Sequence, residues 1–184
     1  IACRSIACNA PPTPTVTSSG NNICSGTQVT INASGGTNVT YRVYTQASGG
    51  TSIGTTPLSV SPTTTTTYYV EADDNNNPGC VSARGSVTVT VVQPPANVGA
   101  ISGPTAPCVG ASNYSISAVN GATSYSWAVS GGGNVTSTTT SANVNWTTAG
   151  GPYTITVTAT NSCGNKTATL AVNVLGSVAN VNAT

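Results

Sequence analysis

The sequence predicts an all-β chain that folds as two tandem β-sandwiches, each fastened at one end by a disulfide. Short segments alternate apolar residues with Ser, Thr or Asn, and Gly, Asn and Pro turns separate them. Two cysteine pairs recur at nearly equal spacing, since Cys24 and Cys80 are 56 positions apart and Cys108 and Cys163 are 55 apart. Pro94-Pro95 lies between the two stretches, and a double proline is typical of a stiff, extended connection.

Six short strands are predicted in the first stretch. In one of them Val29, Ile31 and Ala33 point to the same face, and this period of two recurs in the others. No segment has the period of a helix. The predicted strands are Thr15–Ser18, Gln28–Ala33, Val39–Thr45, Leu58–Val60, Thr66–Ala72 and Ser86–Val92.

The second stretch repeats the scheme, with predicted strands at Tyr114–Ala118, Ser124–Val129, Ala142–Trp146, Tyr153–Thr160 and Thr167–Val174. Tyr125, Trp127 and Val129 are expected to face the core. Trp127 is expected on the third strand of this sandwich, in the place where an immunoglobulin-like sandwich keeps its buried tryptophan. Both sandwiches are therefore expected to be immunoglobulin-like.

Four regions follow from these patterns. Residues 1–10 form an N-terminal extension, residues 11–93 the first sandwich and residues 94–176 the second, which is immunoglobulin-like or PKD-like. Residues 177–184 resemble residues 95–102 and are expected to begin a further module or to be a docking strand. The chain opens on Ile1-Ala2-Cys3 and is expected to be a mature or excised piece.

The cysteines place the protein in an oxidising, extracellular compartment. The repeat predicts the disulfides Cys24–Cys80 and Cys108–Cys163. Cys3 and Cys8 are expected to close a small local loop, and the alternative is a bond to another segment, domain or neighbouring chain.

The amino-acid composition argues against most kinds of catalytic and metal-binding site. Charged residues make up 4% of the chain, and histidine is absent. The side-chain carboxylates are Glu71, Asp73 and Asp74, so a catalytic triad, a histidine-based zinc site or a pair of glycosidase carboxylates is not expected. No catalytic residue, cofactor or metal site is predicted. A net charge of +1 without a basic cluster disfavours nucleic acid, and no apolar run is long enough for a membrane span.

Three weaker features remain open. The acidic loop from Glu71 to Asn77 has oxygen ligands for Ca²⁺ but no recognised ligand spacing, and Asp/Asn clusters are ordinary turn formers. The aromatic residues Tyr44, Tyr69 and Trp146 are candidate sugar platforms, although packing is the favoured interpretation. Candidate glycosylation sequons begin at Asn32, Asn38, Asn113, Asn134, Asn145, Asn165 and Asn182.

Two groups of residues resemble known modules. The segments around Cys24, Tyr41–Tyr44, Thr65–Ala72 and Cys80–Arg84 resemble the immunoglobulin-like modules of large secreted proteins of Bacteroidetes. The segments Ile101–Pro104, Gly121–Trp127 and Val157–Gly164 resemble the PKD-like modules of the same proteins. Such modules occur in gliding adhesins, surface filaments and polysaccharide-degrading enzymes that the type IX system exports.

The resemblance implies a structural segment of an extracellular adhesin or surface filament, acting as a stiff spacer or a polymerising subunit. Its expected partners are identical subunits, bound through terminal strands, or surface glycans. The alternatives are a carbohydrate-binding module and an accessory region of a secreted polysaccharide-degrading enzyme. The protein is not expected to be an enzyme itself.

Overall fold

A computed structural model describes residues 8–176, and all of its regular structure within that range is β-strand. The chain divides into two compact units between Val92 and Gln93. The predicted all-β fold class is confirmed, and most predicted strands agree with the observed ones to within a few residues. The predictions for residues 177–184 and for residues 1–7 of the N-terminal extension fall outside the described residues.

The first unit contains eight strands in two sheets: β1 Thr15–Ser18, β2 Asn22–Cys24, β3 Val29–Ser34, β4 Val39–Tyr44, β5 Gly54–Thr55, β6 Leu58–Val60, β7 Thr66–Asp74 and β8 Gly85–Val92. The strand order is β1-β3-β6 in one sheet and β2-β8-β7-β4-β5 in the other. All pairings are antiparallel except β2 with β8, which is parallel.

The core of the first unit is built from both sheets, as a sandwich requires. Val29 and Ile31 come from β3, and residues of β4, β7 and β8 meet them from the other sheet. Ile31, Val43, Val70 and Val89 are fully buried. The period-two pattern of the strand that contains Val29 and Ile31 therefore placed its inward face correctly.

The second unit contains six strands: β9 Gly110–Ser115, β10 Ser124–Val129, β11 Gly133–Ser137, β12 Ser141–Trp146, β13 Gly150–Asn161 and β14 Gly164–Val174. They form two three-stranded sheets, ordered β10-β13-β14 and β11-β12-β9. Every pairing between these strands is antiparallel.

Aromatic side chains fill the core of the second unit. Trp146 is 1% exposed and meets the Tyr114 ring edge-on, with 6.4 Å between the ring centroids. It also stacks on Tyr153 with centroids 5.8 Å apart. Trp127 is buried as predicted, and its Nε1–H donates to the carbonyl oxygen of Thr139. That bond ties the β11–β12 turn to the core.

The sequence patterns did not predict three short strands, which are β2, β5 and β11. Residues 22–24, 54–55 and 133–137 have too few apolar positions to make an alternating pattern. Their backbone pairing, rather than a buried face, defines them. Within residues 8–176 no helix is long and apolar enough to cross a bilayer.

Candidate functional site

Most of the charged side chains of this chain gather on one face of the first unit. β4 and β7 pair so that Arg42 stands opposite Glu71 and Thr40 opposite Asp73. Side chains alternate along each strand, so these positions share the face that points away from the core. Arg84 joins them from the segment just before β8.

Arg84 is held by three different kinds of partner. Its Nε–H donates to Glu71 Oε2 at 3.0 Å, and Nη1 donates to the carbonyl oxygens of Gln46 and Gly49. Its guanidinium carbon lies 3.4 Å from the ring centroid of Tyr44. The Tyr44 hydroxyl donates to the other oxygen of Glu71, Oε1, at 2.5 Å. Each oxygen of this carboxylate therefore accepts a hydrogen bond.

Both carboxylate oxygens of Asp73 also accept hydrogen bonds. Arg42 donates to Asp73 Oδ2 through Nη2 at 2.7 Å and Nε at 3.1 Å, and the Gly79 amide donates to Oδ1 at 2.9 Å. Asp74 Oδ1 accepts from the amide of Asn76, as in an ordinary Asx turn. The hydrogen bonds from the Gly79 and Asn76 amides fix the conformation of the acidic loop. Among the described residues no group of three acidic, cysteine or histidine side chains is placed to hold a metal.

Burial raises the pKa of Tyr44 above its ordinary value, and the hydrogen bond to the Glu71 carboxylate raises it further because it stabilises the neutral phenol. The positive charge of Arg84 opposes both effects only in part. Burial likewise raises the pKa of Tyr68 and of Tyr114. Tyr44 is thus a neutral donor in this cluster, which forms a closed network.

The disulfide of the first unit differs from the predicted one. Cys80 is bonded to Cys8, with 5.4 Å between their Cα atoms. The predicted pairs Cys24–Cys80 and Cys3–Cys8 are therefore wrong. The loop that follows β7 turns back, and the Asp74 amide donates to the carbonyl oxygen of Cys80, which brings Cys80 to the N-terminal segment.

Strand direction explains why Cys24 does not reach Cys80. In the parallel pairing of β2 with β8, Cys24 stands beside Val92, at the end of β8. Cys80 precedes the start of that strand at Gly85. An eight-residue strand is roughly 25 Å long, whereas a disulfide needs Cα atoms about 4.4–6.8 Å apart. Cys24 is disulfide-bonded, but not to Cys80.

The same geometry overturns the predicted Cys108–Cys163 bond. Cys163 stands just before β14, and Cys108 forms a bridge with Leu175, just beyond its other end. Eleven residues of strand, roughly 35 Å, separate them. Cys163 is disulfide-bonded, whereas Cys108 is an exposed free thiol. The second unit therefore lacks the predicted end disulfide between these two residues.

Two of the candidate sugar platforms are not available as flat surfaces. Trp146 is buried in the core, and Arg84 covers the ring of the buried Tyr44. Tyr69 is half-buried. Packing, the interpretation favoured from the sequence, accounts for Trp146 and Tyr44.

Six of the seven candidate glycosylation asparagines lie in the described part of the chain, and all six are exposed. The side chains that lie on the surface are those of Asn32, Asn38, Asn113, Asn134, Asn145 and Asn165. Asn134 and Asn145 stand opposite each other in the β11–β12 pairing. Asn182 lies outside the described residues.

Two surface features of the second unit were missed by the sequence analysis. Val109 and Leu175 are exposed apolar side chains, 41% and 51% accessible, beside the thiol of Cys108. A groove of about 480 Å³, with no charged residue in its lining, opens between the β11–β12 turn and Ser102-Gly103. Neither feature has a sequence signal, because each depends on which strands become neighbours.

Comparison with known proteins supports the division into two module types. The family model described as an Ig-like domain, CHU_C associated, matches residues 11–94, and the model described as a PKD-like domain matches residues 94–174. A comparison with curated protein sequences found no match.

Solved structures share the fold at low sequence identity. The I-band fragment I67–I69 of titin matches with a TM-score of 0.55 and 13% identity, over 91% of this chain and 66% of that one. The N-terminal eight Ig domains of Down syndrome cell adhesion molecule match with a TM-score of 0.55 and 16% identity, over 89% of this chain and 27% of that one. The chain thus spans about two thirds of the first and about a quarter of the second. By these matches, its first domain is similar to the Ig-like domains of the CHU_C-associated type and its second to PKD-like domains.

Proposed function

We propose that this chain is a structural segment of an extracellular adhesin or surface filament of the kind that Bacteroidetes export through the type IX system. It acts as a stiff spacer and performs no catalysis. One observation carries the proposal: in each unit the chain enters at one end of the sandwich and leaves at the other. A module with its termini at opposite ends adds length to a chain, whereas one with adjacent termini does not.

In the first unit, the Cys8–Cys80 bond holds the entering chain beside the end of β7, next to Asp74. The chain leaves at Val92. Because β8 runs antiparallel to β7, from Gly85 beside Val70 towards Thr66, Val92 lies at the opposite end of that sheet. The disulfide thus fixes the entry point at the far end from the exit.

In the second unit, the entering chain is held where β13 turns into β14. Asn161 Nδ2 donates to the carbonyl oxygens of Gln93 and Gly121, and the Ala96 amide donates to that of Asn120. The chain leaves past Leu175, beyond the far end of β14. The eleven residues of β14 set the distance between entry and exit.

The absence of catalysis is supported by how the acidic groups are used. Glu71 and Asp73 are paired with Arg84 and Arg42, and the chain contains no histidine. An extracellular location is supported by the disulfide Cys8–Cys80, since such bonds persist in oxidising compartments. The six exposed sequon asparagines are sites where glycans would add the hydration that a chain with 4% charged residues lacks.

Limited proteolysis tests the spacer proposal. We expect a fragment of about residues 8–176 to survive a broad-specificity protease under oxidising conditions, because the strands of each unit are paired into sheets around a buried core. Rapid cleavage inside either unit would argue against a stiff spacer. Reduction before digestion is the matched control, and it should expose the loop between β7 and β8 first.

End-to-end polymerisation is a second candidate, and the exposed end of the second unit favours it. Cys108, Val109 and Leu175 form an accessible apolar end with a free thiol. We propose that terminal segments, residues 1–7 or 177–184, pair there with a neighbouring copy. Head-to-tail contacts of this kind propagate a filament.

Light scattering tests polymerisation. The molar mass of residues 1–184 should rise with concentration, whereas that of residues 8–176, which keeps the Cys8–Cys80 bond, should stay that of a monomer. The Cys108→Ser variant of residues 1–184 separates covalent from noncovalent association. If all three proteins are monomeric at high concentration, polymerisation through the termini is wrong and the spacer proposal stands alone.

A further inference from the structure

We propose that the groove on the second unit is a binding site for a short neutral saccharide. The groove lies on the outer face of the β11-β12-β9 sheet, where the β11–β12 turn approaches Ser102-Gly103. Its volume of about 480 Å³ falls within the range of pockets that hold small ligands, about 300–1,000 Å³. Nothing in the spacer function uses this surface.

The walls of the groove are held by backbone bonds. Ser102 and Ser115 exchange both of their amide-to-carbonyl hydrogen bonds, at 2.8 and 2.9 Å. In the opposite wall the Thr138 amide donates to the carbonyl oxygen of Ser141, and Thr140 accepts from the Ile116 amide. A ligand therefore meets a preformed site and loses little free energy in ordering it.

The floor of the groove offers paired donors and acceptors. Asn143 Nδ2 donates to Asn113 Oδ1 across β12 and β9 at 2.8 Å. This bond fixes both amides and leaves the Asn143 oxygen to accept and the Asn113 nitrogen to donate. Adjacent sugar hydroxyls each donate and accept, so one such pair of hydroxyls matches this pair of amides.

Hydroxyl groups surround the two amides. Thr136 and Thr138 donate only long bonds, of 3.4 Å, to the carbonyl oxygens of Asn143 and Ser141. Bonds of that length are weak and are readily exchanged for a ligand. Ser137 and Ser141 add further hydroxyls to the lining.

The lack of charged residues in the groove favours a neutral ligand. The residues that line the groove include six serines and threonines and two asparagines, and none of them is charged. A phosphate or carboxylate would lack a cationic partner there, and its desolvation would be uncompensated. A neutral, polyhydroxylated ligand satisfies the groove without that cost.

A glycan array followed by NMR tests the proposal. Residues 1–184 are produced in a bacterial host without N-glycosylation, so that Asn113 carries no sugar. The array presents matched neutral and sialylated oligosaccharides. We expect binding of neutral ones, and amide shifts on titration confined to the groove, with a dissociation constant below about 1 mM.

Two variants on the same strand test whether the ligand binds in the groove or elsewhere on the sheet. Asn143→Ala removes the central amide and should weaken binding about tenfold. Asn145→Ala is the matched control, because Asn145 is an exposed asparagine of β12 that does not line the groove. It should bind as the parent does, and both variants should keep the parent melting temperature.

Several results would overturn the proposal: no neutral saccharide bound, sialylated ones alone bound, or equal losses in the two variants. A misfolded Asn143→Ala is replaced by Asn113→Ala, for which the same tenfold loss is expected. Proteolysis and light scattering address the spacer and polymer proposals separately, so failure of the groove leaves both unaffected.

Discussion

The guanidinium carbon of Arg84 lies 3.4 Å from the ring centroid of Tyr44, while both side chains bind the same carboxylate, that of Glu71. The ion pair is largely shielded, since the side chains of Arg84 and Glu71 are 11% and 13% exposed. Shielding strengthens the attraction but makes an unpaired partner costly. This three-residue cluster therefore fastens the segment before β8 to the outer face of β4 and β7.

Replacing Arg84 should destabilise the first unit more than replacing Arg42. Arg84→Ala leaves the Glu71 carboxylate with one remaining partner and uncovers the Tyr44 ring, so we expect a loss of about 2–4 kcal/mol. Arg42 is 46% exposed although its partner Asp73 is only 9% exposed, so water can take the place of the guanidinium and Arg42→Ala should cost less, about 1–2 kcal/mol. Denaturant unfolding of the two variants measures both. Equal losses of unfolding free energy would show that the cluster of Arg84, Tyr44 and Glu71 adds no extra stability.

Removing the disulfide should destabilise the same unit. Cys8 and Cys80 are 72 positions apart, and closing such a loop stabilises by about 4 kcal/mol in the chain-entropy model. Cys80→Ala should lower the unfolding free energy by about that amount in calorimetry. Cys108→Ser is the matched control, because Cys108 is an exposed free thiol, and it should change little. A stable Cys80→Ala variant would argue against the Cys8–Cys80 bond.

The second unit should depend on Trp127. Its burial and its bond to the Thr139 carbonyl lead us to expect a loss of about 3–5 kcal/mol for Trp127→Ala. Trp127→Phe keeps an aromatic ring but not the donor, so it should lose less. The melting temperature of the isolated variants reports both, and an unchanged value for Trp127→Ala would mean that the side chain is not part of the core.

Stability should fall at alkaline pH. Burial raises the folded-state pKa of Tyr44, Tyr68 and Tyr114, so the neutral phenols favour folding. Their contribution is complete below the unfolded-chain pKa of about 10 and is lost as pH rises through the folded values. Melting temperature followed against pH, with phenolate absorbance, tests this. Tyr44→Phe should make the decline shallower, and a flat profile above pH 10 would contradict the assignment.

The fold was largely predictable because alternation along each strand is a local signal. Val29 and Ile31, or Trp127, could be assigned to the core from their neighbours in sequence alone. Cysteine pairing is not local. Equal spacing of Cys24–Cys80 and Cys108–Cys163 carried no information about strand direction, and each predicted pair falls at opposite ends of a strand, β8 or β14.

The candidate sites were less predictable for the same reason. The acidic residues were visible in sequence, but their partners Arg42 and Arg84 are distant along the chain and meet them only through sheet pairing. The groove depends on Asn113 and Asn143 becoming cross-strand neighbours, in a register that composition does not encode. Strand pairing and register, rather than residue type, determine both the ion-pair cluster and the groove.

Immunogold electron microscopy of the producing cells tests the central claim, an extracellular structural segment, most directly. An antibody raised against residues 8–176 should label filaments or a surface layer outside the cell, at repeated positions along them. Label confined to the cell interior, or only unattached monomers in the medium, would contradict the account.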